Sequence, residues 1–186
     1  MYPLCDINYP ENPKQLRLSK AMNLNFVIAD YNNPLHAKHI IMLLDKYARD
    51  PMGGNQPLKS EVATTLTAKL ASFPTAFSII GYVQQADENP EPVALANCFM
   101  GFSTFKAMPL INIHDCYVEE SLRGMHIGQQ LLAEVENIGK QRGCCKITLE
   151  VLEGNQRAQA AYEKFGFQGY TLDDTSGIAM CWEKSI

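Results

Sequence analysis

The chain lacks several features that would assign it to a particular class. It has no run of about 18 or more apolar residues, so no segment is predicted to span a membrane. Its first residues contain no apolar signal-peptide core. Lysine and arginine total 16 against 20 acidic residues, so the basic footprint of nucleic-acid-binding proteins is missing. These absences predict a cytoplasmic protein that binds neither membrane nor nucleic acid.

The six cysteines lack the spacing of a disulfide framework or a zinc site. None forms a CxxC pair, and Cys144 and Cys145 are adjacent, which suits neither an ordinary disulfide nor metal ligation. His36 and His39 are close in sequence but have no further ligands at matching spacing. We therefore expect reduced thiols and no metal ion.

The 186 residues fit one domain, in which the apolar pattern alternates between helical and strand-like spacing. We predict an irregular extension over 1–23 and one domain over 24–186. Strands are predicted at 24–31, 76–85, 93–105, 110–118 and 146–152, and helices at 34–50, 58–73, 124–143 and 155–166, followed by a terminal strand pair. Ser60 is the expected N-cap of the second helix. The order β-α-α-β-β-β-α-β-α-β-β predicts an α/β fold of the α+β type, with helices on a mixed sheet.

The stretch RGMHIGQQLL, residues 123–132, predicts a phosphate-binding loop that runs into a helix. The first N–H groups of a helix lack intrahelical partners and attract anions. The spacing of Gly124 and Gly128 excludes the GxxxxGK[ST] loop of nucleotide triphosphatases and the GxGxxG loop of dinucleotide-binding folds. The remaining candidate is the acyl-coenzyme A loop, Arg/Gln-x-x-Gly-x-Gly/Ala. His126 stands where that pattern has a glycine.

Two segments together resemble the core of the GCN5-related N-acetyltransferase (GNAT) superfamily. One is the loop at 123–128 with its amphipathic helix. The other is NQRAQAAYEKFGF, residues 155–167, which follows one strand later. The resemblance covers roughly residues 110–170. It implies the GNAT acyltransferase fold, with the sheet splayed between the strands 110–118 and 146–152.

The resemblance implies acetyl-coenzyme A as cosubstrate. Main-chain amides of the loop would bind its pyrophosphate, which assigns to the cofactor Arg123, Gly124, Met125, His126, Ile127, Gly128 and Gln129. The main chain of the preceding strand would pair with the pantetheine arm at Cys116, Tyr117 and Val118. Asn155, which also fits a helix N-cap, and Ala158 would lie beside the pantetheine.

The resemblance also implies catalytic roles. Tyr162 stands where the family tyrosine protonates the departing thiolate. A general base must deprotonate the incoming ammonium, and His114 is our first candidate. Strand alternation predicts that Asn112, His114 and Cys116 share one face. The alternatives that stay open are Asp115, Glu150 and a water molecule.

The implied reaction is direct transfer of an acetyl group from acetyl-coenzyme A to a primary amine in a ternary complex. The acceptor is an unidentified small molecule or peptide, and Tyr47, Asn55 and Gln56 are candidates for the wall of its site. Family members often pair through terminal strands, so a homodimer is compatible with the resemblance. Two alternatives stay open: an acyl-coenzyme A-binding sensor without transferase activity, and an interaction domain that has lost the cofactor.

Overall fold

The computed structural model describes residues 23–84, 89–171, 173, 175 and 177–186. The elements follow in the order β1 (Asn23–Ile28), α1 (Pro34–Arg49), α2 (Ser60–Ala71), β2 (Ala76–Gln84), β3 (Glu91–Ser103), β4 (Met108–Val118), a 3-10 turn (Glu120–Leu122), α3 (Ile127–Gln141), β5 (Ile147–Leu149) and α4 (Gln156–Phe165). Over these residues, no helix is both long and apolar enough to cross a bilayer. The predicted extension lies outside the described residues apart from Asn23, which begins β1.

Local sequence explains several helix ends. The side chains of Asn33 and Asn155 accept hydrogen bonds from the first turns of α1 and α4, as N-cap residues do. Gly166 ends α4 at φ 106, a left-handed conformation that glycine adopts without steric cost. The predicted N-cap of α2 is wrong by one residue: Lys59 holds the extended cap position, and Ser60 is already helical.

The five strands form one mixed sheet in the order β1-β2-β3-β4-β5. The first four strands are antiparallel to their neighbours, and β5 runs parallel to β4. This confirms the predicted mixed α/β architecture. β5 pairs with β4 only as far as Ile113, whereas β3 accompanies β4 to Val118. The sheet therefore opens between β4 and β5 beyond Ile113, where the splay was predicted.

Helices cover both faces of the sheet. On one face, Leu131 and Val135 of α3 are fully buried in a cluster with side chains of β2, β3 and β4. On the other face, Ile40 and Leu43 of α1 are fully buried against a second cluster from the same strands. Burial of these two apolar stripes is the main force that fixes both helices to the sheet.

A β-bulge in β4 changes which side chains share a face. Ile113 and Asp115 pair with consecutive residues of β3, so His114 is the extra residue. Ile113 and Cys116, three positions apart, consequently both contact the cluster under α3. The prediction that Asn112, His114 and Cys116 share one face is wrong, because it assumed unbroken alternation.

The predicted terminal strand pair is reduced to one bridge. Among the described residues after α4, Thr171 pairs with Ile178, and the N–H of Ala179 donates to the carbonyl of Tyr170. Ile178 is 74% exposed and Trp182 is 83% exposed. The described side chains of this segment are exposed, so they bury too little surface to stabilise a longer strand pair.

Candidate active site

A cavity of about 710 Å³ lies where β4 and β5 separate. Its walls are the end of α1, the last residues of β4, the loop and first turn of α3, and one face of α4. A cavity of this size and position can accommodate a cofactor arm. It is the point at which the loop and helix singled out in the sequence meet.

Most of the predicted site residues line this cavity: Cys116, Tyr117, Val118, Arg123, Gly124, His126, Ile127, Gly128, Gln129, Asn155, Ala158 and Tyr162. Two predicted residues do not. Met125 packs into the core cluster under α3, and His114 is exposed at the bulge. Of the candidates for the acceptor wall, Tyr47 lines the cavity, whereas Asn55 and Gln56 do not.

The loop before α3 has the backbone of an anion site. Gly124 has φ 87, and His126, the N-cap of α3, has φ 61 and ψ 11. The first backbone bond into the helix runs from the N–H of Gln130 to the carbonyl of His126, so the earlier N–H groups of the helix lack intrahelical partners. Since His126 adopts a left-handed conformation, its φ explains why the family pattern has a glycine there.

The end of β4 presents main-chain groups to the opening. The N–H of Glu119 donates to the carbonyl of Val93 in β3. Because alternate residues of an antiparallel strand bond the same neighbour, Tyr117 also directs its main chain to β3. The main-chain N–H and C=O groups of Cys116 and Val118 therefore point away from β3, towards the cavity. The Nε of Arg123 donates to the carbonyl of Val118 at 2.9 Å.

Tyr162 of α4 meets β4 across the cavity. Its side chain and that of Cys116 pack on the same apolar cluster, close enough for each group to affect the pKa of the other. Burial raises the pKa of Tyr162, and the nearby Cys116 raises it further. Burial also raises the pKa of Cys116 to about 11. Both groups are therefore protonated at neutral pH. Tyr162 carries a proton that is less acidic than that of a free phenol, and Cys116 is a poor nucleophile.

An ion pair that sequence reasoning missed joins two walls of the cavity. Asp50, at the end of α1, accepts a hydrogen bond from Arg123 at 2.6 Å. Burial alone would raise the pKa of Asp50, but the N–H of Met52 and the guanidinium groups of Arg123 and Arg157 together lower it. The partners are 73 residues apart in sequence, and only the fold brings them together.

Cationic side chains surround the cavity, whereas carboxylates are scarce. Arg157 and Lys164 of α4 join Arg123 in its lining, and Asp50 is the sole Asp or Glu among the lining residues that the structure describes. Within the described ranges, no three side chains of His, Cys, Asp or Glu converge as metal ligands. The chemistry available from these residues is main-chain hydrogen bonding, anion binding and proton donation.

The three candidates for a base lie in different places. His114 packs edge-on against Phe99, with ring centroids 5.6 Å apart. Asp115 accepts a hydrogen bond from the amide of Asn97 at 2.9 Å on the face opposite to α3. Glu150 is exposed beyond β5, and its nearby carboxylate raises the pKa of the Cys181 thiol.

Comparison with known proteins gives one family and one fold. Residues 43–167 match the model of the Acetyltransferase (GNAT) family. A thialysine N-epsilon-acetyltransferase of Bos taurus is 31% identical over 84 residues, which are 45% of this chain and 49% of the relative. The Sus scrofa protein of the same description is 31% identical over 61 residues, 33% of this chain and 36% of the relative. The chain thus spans at most about half the length of these curated relatives.

Solved structures share the fold at low sequence identity. A probable acetyltransferase superposes with a TM-score of 0.68 at 18% identity, covering 86% of this chain and 99% of the other. AAC(6')-Iy in complex with a bisubstrate analogue of coenzyme A and acetylneamine gives a TM-score of 0.64 at 15% identity, covering 88% and 99%. These likenesses confirm the GNAT acyltransferase fold predicted from the sequence.

Proposed function

The chain belongs to the GNAT acetyltransferase family, and from that premise we propose that it transfers the acetyl group of acetyl-coenzyme A to a primary amine by direct attack in a ternary complex. The observation that carries the proposal is the meeting of three features at one cavity. These are the N-terminal turn of α3, the main chain of β4 at the opening of the sheet, and the Tyr162 hydroxyl.

The proposed coenzyme site follows from these walls. The pyrophosphate would bind the N–H groups of 127–129, where the helix N-terminus favours negative charge. Arg157 and Lys164 would add charge at the rim. The pantetheine arm would lie along the main chain of Cys116 and Val118 and take the place of a strand in the opened sheet.

The proposed chemistry needs four changes of bonding. The amine nitrogen forms a bond to the acetyl carbonyl carbon, and the bond from that carbon to sulfur breaks. A main-chain N–H at Cys116 or Val118 stabilises the developing oxyanion. Tyr162 gives its proton to the departing thiolate, and a base takes the proton that the amine loses.

His114 is our candidate for that base. It is exposed at the bulge, directly after the last residue of β4 that pairs with β5. It lies two residues before Cys116, which lines the cavity, while its own side chain packs against Phe99 outside that lining. An imidazole nitrogen can accept the proton that the incoming ammonium loses.

The acceptor class rests on the curated relatives. Their description names the side-chain amine of thialysine, a basic amino acid. We propose that this chain likewise acts on the terminal amine of a small basic molecule. The mildly acidic chain, with formal net charge -4, does not oppose the approach of such a cation.

The test is a thiol-release screen with acetyl-coenzyme A over thialysine, lysine, polyamines, aminoglycosides and amino-terminal peptides. We expect release that depends on both substrates, and a mass increase of the amine by one acetyl group. Failure of every amine, with tight coenzyme binding in a thermal-shift titration, would favour an acyl-coenzyme A sensor. One observation favours the sensor: the described cavity lining has few carboxylates that could act as a base. If coenzyme A caused no thermal shift, that result would contradict both the acetyltransferase and the sensor.

A further inference from the structure

The side chain of Gln129 joins the first turn of α3 to α4. Its Nε2 donates to the main-chain carbonyl of Ala161 at 2.8 Å, and this hydrogen bond is partly buried. Ala161 directly precedes Tyr162, the proposed acid. The bonded residues are 32 positions apart in sequence, so the fold is what brings them together. The bond therefore connects the turn proposed for the pyrophosphate with the helix that carries the acid.

The other contacts of α4 bury little surface. Within this helix, all of which the structure describes, no residue is fully buried. Tyr162 and Phe165 pack, partly buried, against the apolar cluster under α3, and the ring of Tyr162 lies edge-on to Phe167 with centroids 5.8 Å apart. Gln159 bonds only the turn that precedes the helix. A helix with so little burial depends more on each specific hydrogen bond than a core helix does.

Gln129 takes part in both halves of the proposed site. Its main-chain N–H is one of those proposed to bind the pyrophosphate, whereas its side-chain amide bonds α4. Gln129 and Tyr162 both line the cavity. One residue thus links the group that anchors the coenzyme to the helix whose hydroxyl must reach the coenzyme sulfur.

We infer that Gln129 is a positioning residue, whose amide holds α4 so that the Tyr162 hydroxyl meets the departing sulfur of a coenzyme anchored on the same turn. This inference rests on the proposed acetyl transfer. A general acid must lie within hydrogen-bond reach of the atom that it protonates, and a displacement of about 1 Å can cost about 100-fold in rate. The amide itself makes and breaks no bond to the substrates, and the proton still passes from Tyr162 to the thiolate.

The test replaces Gln129 by methionine, which has a side chain of similar length but no N–H donor. Because the main-chain N–H remains, the affinity for coenzyme A in calorimetry should stay within about two-fold of wild type. We expect kcat to fall about ten-fold, since the acid is displaced rather than removed. Gln130→Met is the matched control: Gln130 is the next residue, is exposed and lies outside the described cavity lining, so this variant should keep the wild-type kcat.

A double-mutant cycle shows whether Gln129 acts through Tyr162. In a Tyr162→Phe background the acid is already gone, so adding Gln129→Met should lower kcat by less than about two-fold. An equal loss in both backgrounds would mean that Gln129 acts independently of the acid, and it would overturn the inference. Weaker coenzyme binding with an unchanged kcat would overturn it as well.

Hydrogen exchange measures the hold on α4 without any turnover. The backbone amides of Gln156–Phe165 are followed with and without coenzyme A. We expect exchange about five-fold faster in Gln129→Met than in wild type, as the loss of one hydrogen bond allows, and no change in Gln130→Met. Equal exchange in wild type and Gln129→Met would overturn the inference, whether or not any amine is acetylated. Faster exchange in a protein that acetylates no amine would support the hold of Gln129 on α4 and contradict the proposed transfer.

Discussion

The two sides of β4 differ in how their sites are built. On the α3 side, the candidate coenzyme site consists largely of main-chain groups supplied by two short segments, the loop at 123–129 and the end of β4. On the α1 side, the polar groups are side chains drawn from three strands and a turn, which form the hydrogen-bond chain from Tyr31 through Ser78 and Asn97 to Asp115. A backbone site needs a particular local conformation, whereas a side-chain site needs particular partners.

This difference separates what is general from what is specific. Any chain that forms the loop and the opened sheet can offer the same N–H groups to a phosphate. The polar side chains of the other face depend on register and on long-range packing, so they can differ between members of one family. We therefore expect changes on the α3 side to affect coenzyme binding and the chemical step, and changes on the α1 side to affect the choice of acceptor.

The largest effect on turnover is expected at Tyr162, the proposed acid beside the thioester. Tyr162→Phe removes the proposed acid and should lower kcat by about 100-fold or more, because the thiolate would leave unprotonated. Coenzyme affinity, measured by calorimetry, should change little. Tyr170→Phe is the control, since Tyr170 is 60% exposed outside the cavity. Unchanged turnover in Tyr162→Phe would contradict the assignment of the acid.

The next effect concerns the base at the bulge. His114→Gln should lower kcat/KM by about ten- to hundred-fold. A base works only when deprotonated, so wild-type activity should rise with pH along a limb that the variant lacks. A pH profile of kcat/KM measures this. If the variant keeps the wild-type profile, Asp115, Glu150 or a water molecule would replace His114 as the candidate.

A smaller effect is expected from the ion pair that joins the two sides. Asp50→Asn leaves Arg123 without its carboxylate partner and should cost about 1–2 kcal/mol in the free energy of unfolding, since both side chains are mostly buried. Thermal unfolding measures the loss. The exposed pair of Glu136 with Lys140 is the control, and Glu136→Gln should cost about 0.5 kcal/mol or less.

The same pair predicts a pH dependence of stability. The pKa of Asp50 is lowered in the folded protein, so its contribution is present above the ordinary carboxylate value of 3.8 and is lost as pH falls through the lower folded value. The stability difference between wild type and Asp50→Asn should therefore shrink below about pH 4. A constant difference down to pH 2 would mean that the charge of Asp50 does not supply it.

The smallest effect is expected at the left-handed histidine. His126→Gly relieves a strained φ but adds freedom to the unfolded chain, so we expect a gain of about 0.5 kcal/mol in stability. Ala107→Gly, at φ 49 in the turn between β3 and β4, should give a similar gain away from the cavity. Coenzyme affinity in His126→Gly should hold or increase if only the N–H binds phosphate. A weaker affinity would show that the imidazole contributes.

The sequence predicted the α3 side well because its signals are local. The apolar stripe of α3, the Asn155 cap and the Gly166 stop each depend on residues within a few positions, and the structure confirms them. The loop and α4 were recognised together through their spacing, which the fold then placed around one cavity. Coenzyme binding there stays a prediction, as do the cytoplasmic location and the homodimer.

The α1 side escaped prediction because its determinants are not local. The bulge at His114 arises from the pairing of β4 with β3, which alternation within β4 cannot indicate. Asp50 and Arg123 are joined only by the fold. The sequence does not distinguish Tyr31, Ser78 and Asn97 from other polar residues. They form a hydrogen-bond chain only because the fold places β2, β3 and β4 side by side. Of the predicted terminal strand pair, the described residues form one bridge, because their side chains are too exposed to bury an apolar face.

The most direct test of direct transfer is intact-protein mass spectrometry combined with free-thiol detection. The protein is incubated with acetyl-coenzyme A, first without and then with cadaverine. Direct attack predicts no thiol release and an unmodified protein before the amine is added, then equal amounts of free thiol and acetylated cadaverine. Thiol release without the amine, with an acetyl group retained on Cys116, would contradict the account by showing a covalent intermediate.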